Sequence, residues 1–184
     1  MDYITRPISR GELRIIAYWF RKVFKCKNKY RFDVIDAFER IHSIFDNITV
    51  EVIEDDDETS FSIDVPAQCT PDMNGNYHIE VRESIYTGAC NGVGGYRAHI
   101  LHEMSHTILC MLGYTPLFQR SFKNNEIEKR YTSMEWQAKA LCGEILVPYE
   151  ETKCLSKNKI ISYCKVSESC ADMRLKLSDD IIDE

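Results

Sequence analysis

The chain has 184 residues, of which 44% are hydrophobic and 28% charged, and its net charge is −6. This composition is typical of a soluble globular protein of one domain, and it excludes a membrane span, since no stretch approaches the ~20 apolar residues that a span requires. Residues 1–7 lack the apolar core of a secretory signal, so we expect a cytoplasmic protein. The negative charge does not favour nucleic acid as a partner.

Charge is distributed unevenly along the chain. Residues 1–32 carry nine Lys or Arg against two acids, whereas residues 33–72 carry twelve acids against Arg40 alone. The simpler interpretation is two solvated faces that attract each other across the fold. The alternative is a basic patch for an acidic partner or nucleic acid.

Eight cysteines are scattered along the chain without a CxxC pair, at positions 26, 69, 90, 110, 142, 154, 164 and 170. In a cytosolic protein this pattern indicates reduced thiols, several of them serving as small hydrophobic core residues. The spacing of a zinc ribbon is absent, which argues against a cysteine-based zinc site.

The first 47 residues predict two amphipathic helices. Ser9 and Glu12 form a capping box before a stripe of apolar residues at helical spacing. A second helix is expected to begin near Asp33. The apolar stripes are Leu13, Ile16, Phe20, Val23 and Phe24 in the first helix and Val34, Phe38, Ile41 and Phe45 in the second, and we expect Trp19 to belong to the core as well.

Residues 48–84 predict strands. Residues 48–54 and 60–65 alternate apolar and polar side chains, and the acidic link 55–58 between them is typical of a hairpin turn. A third strand follows, in which Tyr77, Ile79 and Val81 point to the core and His78, Glu80 and Arg82 point outward.

The second half of the chain predicts helices. A glycine-rich loop at 88–95 lacks the spacing of a phosphate-binding loop and is expected to lead flexibly into a helix over about 96–112. Another helix is expected from about 134 to 147, where Pro148 ends it. The tail, 149–184, predicts a short helical pair that is broken near 166–167.

His102, Glu103 and His106 form an HExxH motif in the helix predicted over 96–112. Residues four apart on a helix lie about 40° apart in azimuth and about 6 Å apart along the axis, so both imidazoles can bind one tetrahedral Zn²⁺. Glu103 lies beside them, close enough to take a proton from a zinc-activated water and give it to a leaving amine. The alternative is a pair of surface or core-edge histidines with an unrelated glutamate.

A catalytic zinc needs a third protein ligand, and four downstream acids are candidates: Glu126, Glu128, Glu135 and Glu144. The first two lie in a polar stretch that is expected to be solvated. Glu135 shares its helix face with Ala138 and Cys142, whose small side chains allow the HExxH helix to approach, whereas Glu144 points about 180° away. We therefore predict Glu135 as the ligand. The alternative for Glu135 is an acid that only interacts with its helix dipole.

HEMSH followed by EWQAKALCGEILVP resembles the ImmA/IrrE-type metallopeptidases. Members of that family pair HELGH with a later run of the form E-x-x-A-x-x-F-A-x-x-L-L-M-P. His102, Glu103 and His106 match the first motif and Glu135 the Glu of the second, and residues 146–148 stand in place of Leu-Met-Pro. The tail around 166–175 is similar to the helix-turn-helix-like ending of the family. Two short helices near an acidic end are nevertheless a poor DNA reader.

Three positions depart from the family pattern. Ser105 replaces the usual Gly, Cys142 stands near the usual aromatic-Ala pair, and His99 occupies a position where Thr or Ser is common. His99 is expected to be a buried, hydrogen-bonded histidine, with a role beside the metal as the alternative. Tyr114, Tyr131 and Arg97 are expected to be structural rather than to stabilise an oxyanion.

Motif and resemblance together predict an α+β fold in one domain, 1–184, in which a small antiparallel sheet packs on a zincin-type HExxH helix and a following Glu-bearing helix, both within 96–148. The resemblance implies a gluzincin-like, zinc-dependent endopeptidase that cleaves a transcriptional repressor at one site. The alternative is a non-catalytic regulatory protein that keeps the zincin fold. Because a peptide must be held extended for cleavage, residues 76–83 are predicted to offer a free strand edge to substrate.

Overall fold

The structure, a computed structural model, describes residues 2–59, 61–117 and 130–179. In these ranges the protein is α+β, as predicted, with eight α-helices and a three-stranded sheet. The strands are β1 (Ile48–Ile53), β2 (Ala67–Pro71) and β3 (Tyr77–Arg82). The helices are α1 (Arg10–Val23), α2 (Val34–Arg40), α3 (Glu83–Cys90), α4 (Gly94–Met111), α5 (Met134–Leu146), α6 (Tyr149–Thr152), α7 (Lys157–Cys164) and α8 (Glu168–Asp179), with short 3₁₀ turns at Ile41–Ser43 and Arg130–Thr132.

Helix α1 begins at the predicted capping box, in which Ser9 and Glu12 each accept a hydrogen bond from the other's backbone N–H. Leu13 and Phe20 are buried against the rest of the core. The expectation that Trp19 is a core residue is wrong, since 60% of this residue is exposed. Trp19 lies about 100° around the helix from Phe20 and about 120° from Leu13, outside the buried stripe.

The sheet is mixed, so the prediction of an antiparallel sheet is wrong. Its strand order is β1-β3-β2, with β1 parallel to β3 and β2 antiparallel to β3. The predicted strand at 60–65 is also wrong, because the second strand lies at Ala67–Pro71 and pairs with β3, not with β1. The acidic link therefore does not make a hairpin turn.

The side chain of Arg82 explains how the chain passes from β1 to β2 instead. Its Nη1 donates to the carbonyls of Glu54 and Asp57 at 2.8 and 2.6 Å, and its Nη2 donates to those of Phe61 and Ser62 at 3.0 and 3.3 Å. The backbone at residues 54–57 and at 61–62 is thus held around the end of β3, and the chain continues on its other side. Arg82 is buried, contrary to its predicted outward, solvated position.

Strand β3 is the central strand and is hydrogen-bonded along both sides. The hypothesis that residues 76–83 offer a free edge to substrate is therefore wrong. The strand at the edge beside α4 is β2, whose Cys69 N–H hydrogen-bonds to a side chain of that helix.

The glycine-rich segment is more ordered than a flexible loop. Gly88 to Cys90 belong to α3, and only 91–93 separate α3 from α4. Gly94 begins α4 against the turn between α7 and α8, where a Cβ on Gly94 would lie 2.8 Å from the backbone nitrogen of Ser167. A glycine is needed there because no side chain fits between the two backbones.

Helices α4 and α5 pack side by side at the centre of the protein, and α1 packs on α5. Leu101 and Met104 of α4 and Leu141 and Ile145 of α5 are completely buried in one continuous hydrophobic cluster. This cluster fixes the two helices that carry the predicted metal ligands.

All eight cysteines are free thiols, and Cys142 and Cys164 are buried in the core as the sequence predicted. Within the described ranges, no helix combines the length and the hydropathy needed to cross a membrane.

Candidate metal centre

His102 and His106 lie one turn apart on α4 and present their rings to the same side. The ring centroids are 4.6 Å apart, and the two Nε2 atoms are separated by 3.1 Å. The opposite face of α4 holds Leu101 and Met104 in the core, so the helix cannot rotate the histidines away. Because one face of α4 is buried in the core, His102 and His106 are held on the other face.

Glu135 completes a three-residue group with the two histidines. It lies in the first turn of α5, which is capped by Ser133, whose hydroxyl accepts the N–H of Trp136. Its Oε2 is 3.3 Å from Nε2 of His102, and its Oε1 is 3.1 Å from Nε2 of His106. In the described part of the chain, these three residues form the group of His, Cys, Asp or Glu side chains that can hold a metal ion.

The distances between the donor atoms of these three residues can be compared with the ligand–ligand distances around a bound metal ion. A tetrahedral ion with bonds of about 2.0–2.1 Å has ligand atoms about 3.3 Å apart. The two Nε2 atoms are 3.1 Å apart, and each lies 3.1–3.3 Å from a different oxygen of Glu135, which comes close to that value. Two imidazole nitrogens and one carboxylate are also a known donor set for catalytic zinc. The residues therefore fit a tetrahedral divalent ion with one position left for another ligand.

Burial keeps the two imidazoles in the form that binds metal. It lowers the pKa of His102 to about 4, with the neighbouring His106 adding to the effect, and it lowers the pKa of His106 as well. A neutral imidazole has a free nitrogen lone pair, which is what a metal ligand needs.

Glu103 lies beside the group without joining it. Its Oε1 is 3.9 Å from Nε2 of His102, and its Oε2 accepts a 3.0 Å hydrogen bond from the backbone N–H of Cys69. The pKa of Glu103 is raised to about 7, mainly by burial; the hydrogen bond from Cys69 lowers it and the charge of Glu135 raises it. A carboxyl group with a pKa near neutrality can both accept and return a proton at that pH.

A cavity of about 680 Å³ lies against Glu103, His106 and Glu135. One wall is the N-terminal arm, Asp2 and Tyr3. The others are the edge strand β2 with Tyr77 beside it and the segment after α4, which contribute Gln68, Cys69, Thr70, Pro71, Tyr77, Thr115 and Pro116. This size is in the range of ligand-binding clefts. The cavity thus leaves room for a substrate beside Glu103, His106 and Glu135.

The other candidates for the third ligand do not reach the histidines in the described structure. Glu144 is only 2% exposed, and its Oε1 lies 3.5–3.7 Å from Arg10, Arg14 and Arg174. Its orientation away from the metal group is as predicted. Glu126 and Glu128 lie outside the described residues.

Asp2 is a residue of the site that the sequence did not reveal. Its carboxylate accepts hydrogen bonds from the hydroxyl of Ser133 at 2.6 Å and from the backbone N–H of Glu135 at 3.1 Å. The N-terminal arm thereby holds the start of the helix that carries Glu135. Only a contact between residues more than a hundred positions apart creates this role, so no local pattern could have shown it.

The positions that depart from the family pattern are accommodated without disturbing the group. Ser105 is buried, and its hydroxyl donates to the carbonyl of Leu101. His99 is exposed, so the expectation of a buried histidine is wrong.

Arg97 is structural as expected, since its guanidinium donates to the carbonyls of Gly92 and Lys165.

Comparison with known proteins adds no family assignment to this geometry. No protein-family model matches the chain, and no curated protein matches it.

Proposed function

We propose that the protein is a zinc-dependent endopeptidase with a zincin-type site. The single observation that carries the proposal is the position of Glu103, which lies next to three metal donors and faces the same cavity without being a donor itself. A purely structural zinc site is closed by four protein ligands and has no use for such a carboxylate.

The donor set supports zinc as the metal. His102 and His106 offer nitrogen and Glu135 offers oxygen, a combination that suits zinc better than the all-oxygen preference of calcium or magnesium. Once bound, zinc would supply a Lewis acid that polarises the scissile carbonyl and lowers the pKa of water.

Glu103 provides the proton transfers of the reaction. Its carboxylate takes a proton from the attacking water, and the resulting carboxylic acid gives that proton to the departing amine. The N–H of Cys69 orients Oε2, which leaves Oε1 directed toward the metal group, 3.9 Å from Nε2 of His102. Burial of Glu103 suits both halves of this exchange, because its pKa of about 7 lets it hold or release the proton near neutral pH.

The edge strand β2 supports a peptide as substrate. In an antiparallel pair, successive residues of the edge strand point their backbone groups alternately toward the partner strand and away from it. The N–H of Cys69 points away from β3 and is already bonded to Glu103, so the outward-facing backbone groups left for a peptide are the N–H and C=O of Ala67 and the C=O of Cys69. An extended peptide can pair with this edge while its carbonyl reaches the metal group.

The resemblance to ImmA/IrrE-type metallopeptidases supports a repressor protein as the natural substrate. Such a substrate would require site-specific cleavage rather than general digestion. The residues that would select the site are not assigned by the two motifs.

The experiment that tests this proposal is a cleavage assay with zinc-loaded protein on a peptide library derived from a proteome, read by mass spectrometry of new peptide ends. The matched control is Glu103→Gln, which keeps the shape of the side chain and the three donors. We expect new ends with wild type, none above background with Glu103→Gln, and none after zinc is removed with a chelator. Cleavage that persists in Glu103→Gln would contradict the mechanism. No cleavage by wild type, either of the library or of co-encoded repressors, would favour the non-catalytic alternative.

A further inference from the structure

The stretch from residue 14 to 31 carries seven Lys or Arg and no acid. It covers most of α1 and the loop that follows. Five of these cations are exposed and have no ion-pair partner among the described residues: Lys22, Lys25, Lys27, Lys29 and Arg31. We call these five residues the basic surface.

The charge of the basic surface is not used to hold the fold together. In the described ranges, no ion pair joins a cation of residues 1–32 to an acid of residues 33–72, so the expected attraction between the two faces is not made by direct contacts. Arg10 and Arg14 turn instead to the buried Glu144. A concentration of like charge that forms no ion pair within the described residues costs stability, which makes an external partner the better explanation for it.

Two adjoining cavities give the basic surface its shape. One, of about 330 Å³, lies between α1 and the start of α6; its lining includes Lys22, Lys27 and Lys29, with Glu150 and Glu151 on the α6 side and the buried Glu144. The other, of about 310 Å³, lies on the far side of the same loop; its lining includes Lys25, Lys27 and Arg31, with Asp33 and Asp36. Because Lys27 belongs to both, the five cations follow one continuous track across the loop.

Exposed aromatic rings lie on or beside the same track. Tyr18 forms a wall of the larger cavity and lies under the ammonium of Lys22, and its edge meets the ring of Trp19. Tyr18 and Trp19 are 55% and 60% exposed, which is unusual for rings of this size. Beyond the loop, Tyr30 stacks on the exposed Tyr163 with ring centroids 5.1 Å apart.

We propose that the basic surface and the exposed rings of Tyr18 and Trp19 bind single-stranded nucleic acid. Unpaired cations along a groove hold successive phosphates, and exposed aromatic rings offer flat faces on which unpaired bases can stack. An acidic protein segment would use the cations but has no need of the exposed rings, and duplex DNA would keep its bases away from them.

This surface is separate from the metal group. Arg21 at the end of α1 donates to the carbonyl of Ile145 near the end of α5, whereas Glu135 lies in the first turn of α5. Ten residues of helix separate the two positions, or about 15 Å. The inference therefore does not depend on the proposed peptidase activity, and its test needs no cleavage.

Lys25 allows a variant that removes charge without harming the fold. It lies just after α1 with a left-handed φ of 53°, and its backbone N–H and that of Cys26 bond to the carbonyls of Lys22 and Arg21. Glycine is the favoured residue in this helix-ending motif, and a side chain in the left-handed conformation costs about 1 kcal/mol. Lys25→Gly is therefore expected to keep or raise the melting temperature.

The test measures binding of a fluorescent oligothymidylate of about 12 nucleotides by anisotropy, from about 50 to 200 mM salt. Wild type is expected to bind, with an affinity that falls steeply as salt rises. The double variant Lys25→Gly/Lys27→Gln should bind roughly ten-fold more weakly at low salt, with a logarithmic salt slope smaller by about 1.4, or about 0.7 for each lost phosphate contact. The control Arg130→Gln/Lys176→Gln removes two exposed cations that line neither cavity and should bind like wild type.

Trp19→Ala separates stacking from charge. It should weaken binding roughly ten-fold while leaving the salt slope unchanged, because it removes a ring and no cation. The inference is overturned if wild type does not bind at low salt, if both double variants bind alike, or if Trp19→Ala has no effect. It is also overturned if a glutamate-rich peptide of equal charge or a matched duplex binds as tightly as the single strand.

Discussion

The backbone N–H of Cys69 donates a 3.0 Å hydrogen bond to Oε2 of Glu103, which joins the edge strand of the sheet to the helix of the metal group. The bond comes from the main chain, so the side chain of residue 69 is not needed for it. What it fixes is the direction of one carboxylate relative to His102 and His106. The sheet therefore contributes to the site by orienting Glu103 rather than by supplying a ligand.

The first prediction concerns Glu103. In Glu103→Gln the amide oxygen can still accept the N–H of Cys69, so zinc content and melting temperature should match those of wild type. Peptide cleavage should fall by about 10²–10⁴-fold, because the amide cannot take a proton from water. Zinc content by elemental analysis, thermal unfolding and the cleavage rate measure the three effects.

The matched control is Cys69→Ala, which keeps the backbone N–H and loses only the contact between the thiol and the hydroxyl of Thr107. Its activity should stay within a few-fold of wild type. A large loss in Cys69→Ala with full activity in Glu103→Gln would reverse the assigned roles.

The second prediction concerns the metal. Wild type should bind about one zinc ion per chain, and zinc should raise its melting temperature, since a ligand that binds only the folded state stabilises it. His106→Ala and Glu135→Gln should each lose most of the zinc and most of this thermal shift. An equal thermal shift in wild type and His106→Ala would place the zinc elsewhere.

The sequence predicted the parts of the site that depend on helix geometry. The four-residue spacing of the histidines placed both imidazoles on one side, and azimuth alone separated Glu135 from Glu144 on the same helix. Both expectations agree with the structure, because α4 and α5 are regular and each is fixed by a buried face.

The sheet could not be predicted in the same way, because its pairing is decided by contacts far apart in the chain. Residues 60–65 alternate as a strand does, but the carbonyls at 61 and 62 bond to Arg82 instead of to a neighbouring strand. The true second strand, Ala67–Pro71, has no β-branched alternation and is a strand only because β3 lies beside it. The role of Asp2 could not be predicted for the same reason, because its partners, Ser133 and Glu135, are far away in the chain.

The third prediction concerns the buried carboxylate of Glu144. Glu144→Gln should lower the free energy of unfolding by about 3 kcal/mol, because it removes a buried anion from beside Arg174, which is 4% exposed, and two further arginines. Denaturant unfolding measures this loss. Glu150→Gln is the control, since its ion pair with Lys153 is at the surface, where solvent screens it and its contribution to stability is small. Equal stability of the two variants would show that the arginines do not depend on Glu144.

The fourth prediction concerns the thiols. Only the thiolate reacts with an alkylating agent, so reaction at pH 8 should be fast at the exposed Cys90 and Cys154. Burial raises the pKa of Cys142 and raises that of Cys69 to about 12, so both should react slowly in the folded protein. Mass spectrometry of native and urea-unfolded samples measures the order. Rapid native labelling of Cys142 would show that the interface between α4 and α5 opens.

The last prediction concerns Asp2, which holds the start of the helix that bears Glu135. Asp2→Ala removes the acceptor of the Ser133 hydroxyl and of the Glu135 N–H, and it should cost about 1 kcal/mol of stability. It should also weaken zinc binding roughly ten-fold, because a ligand that is held less firmly loses its orientation toward the metal. Competition with a zinc-sensitive dye, at a temperature where the variants are fully folded, measures the affinity. Glu12→Ala is the matched control, since it removes the side-chain half of the capping box of α1 and should lower stability without any change in zinc affinity. If both variants weaken zinc binding equally, the effect of Asp2 is one of general stability and not of placing Glu135.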